Sequence, residues 1–148
     1  METIRFNLGY DNFREQLKNI TDQHEEKGFM YKLYTEEDGK RRPVFRLAGD
    51  DEDGILYIGQ TKNLVDRVSL LFRSFATKCP KGKLYKHGAD EIYWHCSNAR
   101  KNYPFKNMLV EITPCENSKV AEFDAIKEYY VTFGEVPPFN GAIVKKKP

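Results

Sequence analysis

The hydrophobic pattern changes its period near the middle of the chain. Residues Ile55–Ile58 form a short, apolar, β-prone run that ends at Gly59, which is typical of a buried strand. The apolar positions of residues 64–75 follow a helical period instead, and Arg67 falls on the border of that apolar stripe. The pattern predicts a strand followed by an amphipathic helix, with Tyr57 and Arg67 at the seam between them. A tyrosine and a guanidinium at one seam indicate a site for a phosphate group.

The flanking segments show shorter versions of the same two patterns. An amphipathic helix is predicted at about residues 11–24, and strands are predicted at 29–34, 92–96 and 108–112. A polar, turn-rich insertion, residues 35–53, separates the strand at 29–34 from the central strand, and its apolar piece at 44–47 predicts a short extra strand. Without an internal repeat or a linker, the 148 residues are expected to form one domain.

The last helix is predicted over residues 119–133, with Ser118 as its N-cap. Its expected apolar row comprises Phe123, Ile126, Tyr130 and Phe133. Glu122 lies on the border of this row, so the helix offers one carboxylate at a packed seam.

Charge is distributed unevenly, although the net charge is only +2. Residues 1–59 carry nine basic and thirteen acidic side chains, whereas residues 60–90 carry seven basic and two acidic ones. A basic segment beside the Tyr57–Arg67 seam suits a polyanion; a solvated lysine loop is the alternative. Besides Arg67, the basic side chains of this segment are Lys62, Arg73, Lys78, Lys81, Lys83 and Lys86.

Three widely spaced cysteines predict reduced thiols in a cytoplasmic protein. No apolar run is long enough for a membrane span, and the first residues do not resemble a secretory signal. The His95–Cys96 pair lacks the spacing of a zinc site.

Several of these segments resemble the GIY-YIG endonuclease family. The second motif of this family and the helix after it match residues 57–67, which read Tyr-Ile-Gly-Gln-Thr-Lys-Asn-Leu-Val-Asp-Arg. The end of the first motif matches residues 30–33. Residues 121–127 look like its glutamate helix, and residues 137–140, Pro-Pro-Phe-Asn, look like its closing segment. Phe29 stands where the first motif has glycine, and Leu71 stands where many members carry His or Tyr.

The resemblance implies an α+β fold in which a small central antiparallel sheet of three to four strands is flanked by helices. It also implies hydrolysis of DNA phosphodiesters with one Mg²⁺ or Mn²⁺ ion in a bacterial or phage-encoded protein. By position, Tyr31 and Tyr57 would be the paired tyrosines that serve or assist the general base. Arg67 would hold the phosphate, Glu122 would bind the metal, and Asn140 would support the site.

The residue types agree with this chemistry. Mg²⁺ needs few protein carboxylates, so Glu122 alone can hold it. A phenol with a pKa near ~10 is a poor base at neutral pH, so the metal, Lys62 or Arg67 would have to lower the pKa of the catalytic tyrosine. A double-strand break by one small site would favour a homodimer. Two alternatives stay open: a catalytically silent relative that binds DNA or a protein, and an interaction module that uses the 35–53 insertion.

Overall fold

A computed structural model describes residues 1–78 and 88–141. Its main sheet has five strands, all paired antiparallel: β1 (Glu2–Arg5), β2 (Gly28–Glu37), β3 (Lys40–Arg41), β6 (Tyr57–Thr61) and β7 (Met108–Cys115). A separate hairpin consists of β4 (Val44–Arg46) and β5 (Gly49–Asp51). The helices are α1 (Tyr10–Gln23), α2 (Leu64–Ala76), α3 (Glu91–His95), α4 (Ser97–Asn102) and α5 (Ser118–Phe133). The predicted α+β class with a small antiparallel sheet is therefore confirmed, but the expected three to four strands are too few, because β1 and the short β3 extend the sheet to five.

Strand β2 is the central element of the sheet. It pairs with β7 along nearly its whole length and with β6 along residues 29–33, while β1 extends the sheet beyond β7. Strand β3 pairs with the last residues of β2. Consequently β6 is an edge strand, and the outward-facing backbone groups of β6 must find partners outside the sheet.

The core lies between one face of the sheet and the pair of helices α1 and α2. Alternate residues of β2 (Phe29, Tyr31 and Leu33) are buried there. Helix α2 presents Leu64, Val68, Leu71, Phe72 and Phe75 to this core, as its helical period predicts. Helix α5 packs instead along β6 and β2, from the side of the edge strand.

The predicted strand at 92–96 is wrong, because these residues form helix α3. The backbone N–H groups of Trp94 and Cys96 bond to carbonyls four residues earlier, and the Trp94 indole donates to the Ser74 carbonyl at 2.7 Å. Only Tyr93 is buried in this segment, so it supplies one core contact rather than the alternating face of a strand. Helix α4 follows α3 after a single residue, Cys96.

Two details of α5 also differ from the prediction. The N-cap is Asn117, whose side chain accepts from the Val120 N–H, and Ser118 is the first helical residue. The buried face contains Tyr129, whereas Tyr130 is exposed. The insertion at 35–53 contributes β3, β4 and β5, so it is an elaborated hairpin rather than an irregular loop.

None of the helices in the two described ranges has the length and apolar content needed to cross a bilayer. Lys81, Lys83 and Lys86 lie outside the described residues, as does the basic C-terminal tail.

Candidate active site

The tyrosine pair is positioned by the register between β2 and β6. Tyr31 lies directly opposite Gly59, and Tyr57 lies opposite Leu33, so both tyrosines project from the same face of the sheet. The centres of the two tyrosine rings are 6.1 Å apart. A Cβ atom on Gly59 would come within 2.5 Å of the Tyr31 Cζ atom. The glycine therefore lets the Tyr31 ring lie across β6, toward the open edge of the sheet.

Arg67 reaches the same place from the first turn of α2. The helix starts two residues after β6, because the Asn63 side chain accepts from the Asp66 N–H and caps it. The Arg67 guanidinium hydrogen-bonds to the hydroxyl groups of both Tyr31 and Tyr57. One cation thus links the two phenols, as the border position of Arg67 on the helical stripe predicts.

Glu122 approaches from the outer side of β6. The backbone N–H of Gln60, on the free edge of this strand, donates to the Glu122 carboxylate. One turn earlier on α5, the buried Ser118 hydroxyl donates to the Gln60 side-chain oxygen at 2.8 Å. A Cβ at Gly28 would come within 2.8 Å of Ser118, so this glycine allows α5 to pack closely. The carboxylate is therefore held against the same strand that carries Tyr57.

Asn140 supports the edge strand rather than facing the tyrosines. Its side-chain amide donates to the Ile58 carbonyl and accepts from the Ile58 N–H, both at 2.9 Å. The amide takes the place of a neighbouring strand for one residue, directly beside Tyr57. Asn140 and Glu122 together satisfy alternate outward-facing residues of β6, and both come from the C-terminal part of the chain.

Burial dominates the electrostatics of the site. It raises the pKa of Tyr31, which is 0% exposed, and that of the half-buried Tyr57. Arg67 acts in the opposite direction on both phenols but is outweighed. Arg67 therefore lowers the pKa of both tyrosines as expected, but in the protein alone burial keeps both pKa values above the usual one. Burial also raises the pKa of Glu122, against the opposing effects of Arg67 and the Gln60 N–H.

The ligand set at this edge is small. Within residues 1–78 and 88–141 there is no group of three or more His, Cys, Asp or Glu side chains placed to share one ion. A zinc site takes three or four protein ligands, whereas Mg²⁺ can be held by one or two carboxylates together with water and a substrate phosphate. A half-buried carboxylate whose pKa is raised by burial also gains from a cation beside it. Glu122 therefore fits magnesium or manganese better than zinc.

Those side chains of the predicted basic segment that the structure describes do not all lie at the site. Lys62 is exposed and lines a cleft of about 760 Å³ between the end of α1 and the start of α5. Arg73 is exposed on the other side of α2, with its guanidinium 5.4 Å from the centre of the Tyr10 ring on α1. Lys78 is exposed just beyond α2.

Sequence reasoning missed Gln60 and Ser118, which connect β6 to α5. Gln60 belongs to the motif at residues 57–67, but the sequence pattern does not show that its backbone N–H faces the last helix. That information depends on which side of β6 lacks a neighbouring strand.

In sum, two phenols, a guanidinium and a carboxylate from four different elements meet at one sheet edge. They offer hydrogen-bond donors, one fixed positive charge and one potential metal ligand.

No family model, no curated protein and no solved structure matches this chain.

Proposed function

We propose that this protein is a divalent-metal-dependent DNA endonuclease of the GIY-YIG type, which hydrolyses phosphodiester bonds. The observation that supports this proposal best is the meeting of Tyr31, Tyr57, Arg67 and Glu122 around one edge of β6. These residues are separated by up to 91 positions in the chain. Their types are those that a phosphodiester hydrolase needs: a group to take a proton, a cation for the phosphate and a carboxylate for a metal.

The two tyrosines have different roles in the proposal. Tyr31 is fully buried and donates within the site, so it positions Arg67 and Tyr57. Tyr57 is partly exposed and therefore can reach a water molecule. Arg67 holds the scissile phosphate through its free guanidinium donors, and Glu122 holds the metal.

The proton steps follow from this assignment. Tyr57 takes a proton from the attacking water while the water oxygen bonds to phosphorus and the bond to the leaving sugar oxygen breaks. Because burial raises the pKa of Tyr57, the phenol must first be ionised at some cost. A divalent ion on Glu122 would supply positive charge that lowers this cost and neutralises the leaving group. Arg67 stabilises the same negative charges with its guanidinium.

A plasmid-nicking assay with Mg²⁺ tests the proposal directly. Wild-type protein should convert supercoiled DNA to the nicked form, and Glu122→Gln should lose at least about 10²-fold in rate, the scale for removing one preorganised charge stabiliser. Glu128→Gln, an exposed glutamate on the same helix, is the matched control and should cut normally. Equal cleavage by Glu122→Gln and the control would refute the metal role.

A catalytically silent DNA-binding relative is the second candidate. Leu71 favours this candidate. It stands where many GIY-YIG members carry a His or Tyr, and here the side chain is apolar, 0% exposed and packed in the core. This candidate predicts salt-dependent DNA binding without cleavage at any metal concentration. If cleavage is observed, the ratio of linear to nicked product against protein concentration will show whether two copies act together.

A further inference from the structure

The β4–β5 hairpin of the insertion carries two exposed apolar side chains that the proposed chemistry does not use. Phe45 is 76% exposed and Leu47 is 82% exposed. Single exposed apolar residues need no explanation, but an aromatic ring displayed on an anchored hairpin differs from one on a frayed loop.

The hairpin is anchored on the C-terminal end of α5. The Ala48 N–H donates to the Phe133 carbonyl at 3.0 Å, and the Leu47 N–H donates to the Glu135 carboxylate at 2.7 Å. Arg46 forms an ion pair with the same carboxylate at 3.3 Å. The backbone of the hairpin is thus held in place, and the exposure of Phe45 is a property of the fold.

Basic residues are frequent in the two segments nearest to the groove that contains Phe45. Residues 40–46 contain four basic side chains and no acidic one, and residues 97–107 contain three basic side chains and no acidic one. The two segments meet where the Arg42 guanidinium approaches Asn102 at 3.4 Å and the Tyr103 ring at 5.8 Å. Phe45 lines a groove of about 410 Å³ together with Lys40, Arg41 and Arg42.

Acidic groups offset this charge only in part. The Arg41 guanidinium is already paired with Glu36 at 3.4 Å and with Glu111 at 3.2 Å. Glu37 and Asp38 line the same groove, and Glu37 pairs with Arg42 at 3.6 Å. Such an exposed pair contributes little and is readily exchanged for a phosphate. An exposed aromatic ring in a groove that also holds Lys40 and Arg42 is the combination that single-stranded and distorted DNA binds, through base stacking and backbone contacts.

We propose that this groove, defined by Lys40, Arg41, Arg42 and Phe45, is a second DNA contact that grips the substrate on one side of the cleavage site. The inference rests on the proposed nuclease function. Arg42 and Lys40 contact phosphates, and the Phe45 ring stacks on an exposed base.

The hairpin is anchored on the same helix that carries Glu122. Eleven residues of α5 separate Glu122 from Phe133, where the turn of the hairpin is attached. At 1.5 Å per residue this is about 16 Å along the helix, so the hairpin is attached within the length of roughly five base pairs of DNA from Glu122.

The test is fluorescence anisotropy with labelled DNA in the Glu122→Gln background, which prevents cutting. Phe45→Ala should weaken binding about 5- to 150-fold, the range for loss of one base–aromatic stack. Arg42→Gln should reduce the salt slope of log K by about 1, as expected for one lost phosphate contact. Leu47→Ala is the matched control, because it removes an equally exposed apolar side chain outside the groove, and it should bind normally.

The outcomes separate this inference from the nuclease proposal. If the parent protein binds and cuts DNA but Phe45→Ala behaves like Leu47→Ala, the second contact is refuted and the nuclease proposal stands. If Phe45→Ala leaves DNA binding intact and abolishes self-association in sedimentation, the hairpin is a protein interface and the inference is wrong. If the parent protein does not bind DNA, both proposals fail. Weaker binding by Phe45→Ala, with Leu47→Ala unchanged and a smaller salt slope in Arg42→Gln, supports the inference in full.

Discussion

Replacing Gly59 with alanine should displace the Tyr31 ring and weaken both the fold and the site. The φ angle of Gly59 is not in the left-handed region, so alanine fits its backbone. Its Cβ would nevertheless lie 2.5 Å from Cζ, 2.6 Å from the hydroxyl oxygen and 2.8 Å from Cε2 of Tyr31. Since non-bonded carbons prefer separations of about 3.5–4.0 Å, the ring or the strand must move by about 1 Å.

The cost can be estimated from the burial of Tyr31. The ring is 0% exposed and cannot swing into solvent, so the new methyl group overpacks the core. Overpacking typically lowers the free energy of unfolding by about 1–3 kcal/mol, which corresponds to a fall in Tm of roughly 3–12 °C at this chain length. A misplacement of about 1 Å in a site residue can reduce the rate by about 10²-fold.

Thermal unfolding and plasmid nicking measure the two effects. Gly141→Ala is the matched control, because a Cβ there meets no atom of residues 1–78 or 88–141 within 4 Å and its φ is not positive. It should change the free energy of unfolding by less than about 0.5 kcal/mol. In a Tyr31→Leu background, which removes the atoms that clash, Gly59→Ala should also cost less than about 0.5 kcal/mol. Equal effects of Gly59→Ala and Gly141→Ala, or an unchanged cost in the Tyr31→Leu background, would contradict the close approach.

Three further predictions concern the edge of β6. Asn140→Ala leaves two buried Ile58 backbone groups without partners, so it should lower the free energy of unfolding in urea by about 2–4 kcal/mol. The control Asn117→Ala removes only a helix cap and should cost about 1 kcal/mol. Similar costs for the two variants would refute the edge-support role of Asn140. The pKa of Glu122 is raised from 4.5, so its favourable contribution is present below pH 4.5 and is lost as the pH rises through the folded pKa. Glu122→Gln should therefore have the same Tm as the wild type in acid and a higher Tm at neutral pH. The variant should also lose any increase in Tm that Mg²⁺ gives the wild type. A difference in Tm that does not change with pH would contradict this. Because burial also raises the pKa of Tyr57, the cleavage rate should climb about tenfold per pH unit above neutrality and become flat in Tyr57→Phe, as a pH–rate profile would show.

Local patterns in the sequence were sufficient to predict the central strand, the helix after it and the side of that helix on which Arg67 lies. These features depend on residues close in the chain: an apolar run ended by Gly59, and a helical period over 64–75 that places Arg67 at a border. The same period correctly predicted a carboxylate, Glu122, at the edge of the last helix. The coarse α+β class was implied by the resemblance of these segments to the GIY-YIG family.

Short or context-dependent segments could not be predicted in this way. The aromatic run at 92–96 is too short for its period to distinguish a strand from a helix, and its packing against Ser74 decided the outcome. The choice between Tyr129 and Tyr130 for the buried face of α5 depended on how the helix sits against β6.

The tertiary structure alone decided how the site is closed. Because β6 is an edge strand, its outward-facing backbone groups must be satisfied from elsewhere, and Asn140 and Glu122 do this from residues 82 and 62 positions away. Burial likewise depends on the whole fold, and it raises the pKa of both tyrosines despite the neighbouring Arg67. The sequence determined which chemical groups are present; the unpaired edge of the sheet determined where they meet and how readily they ionise.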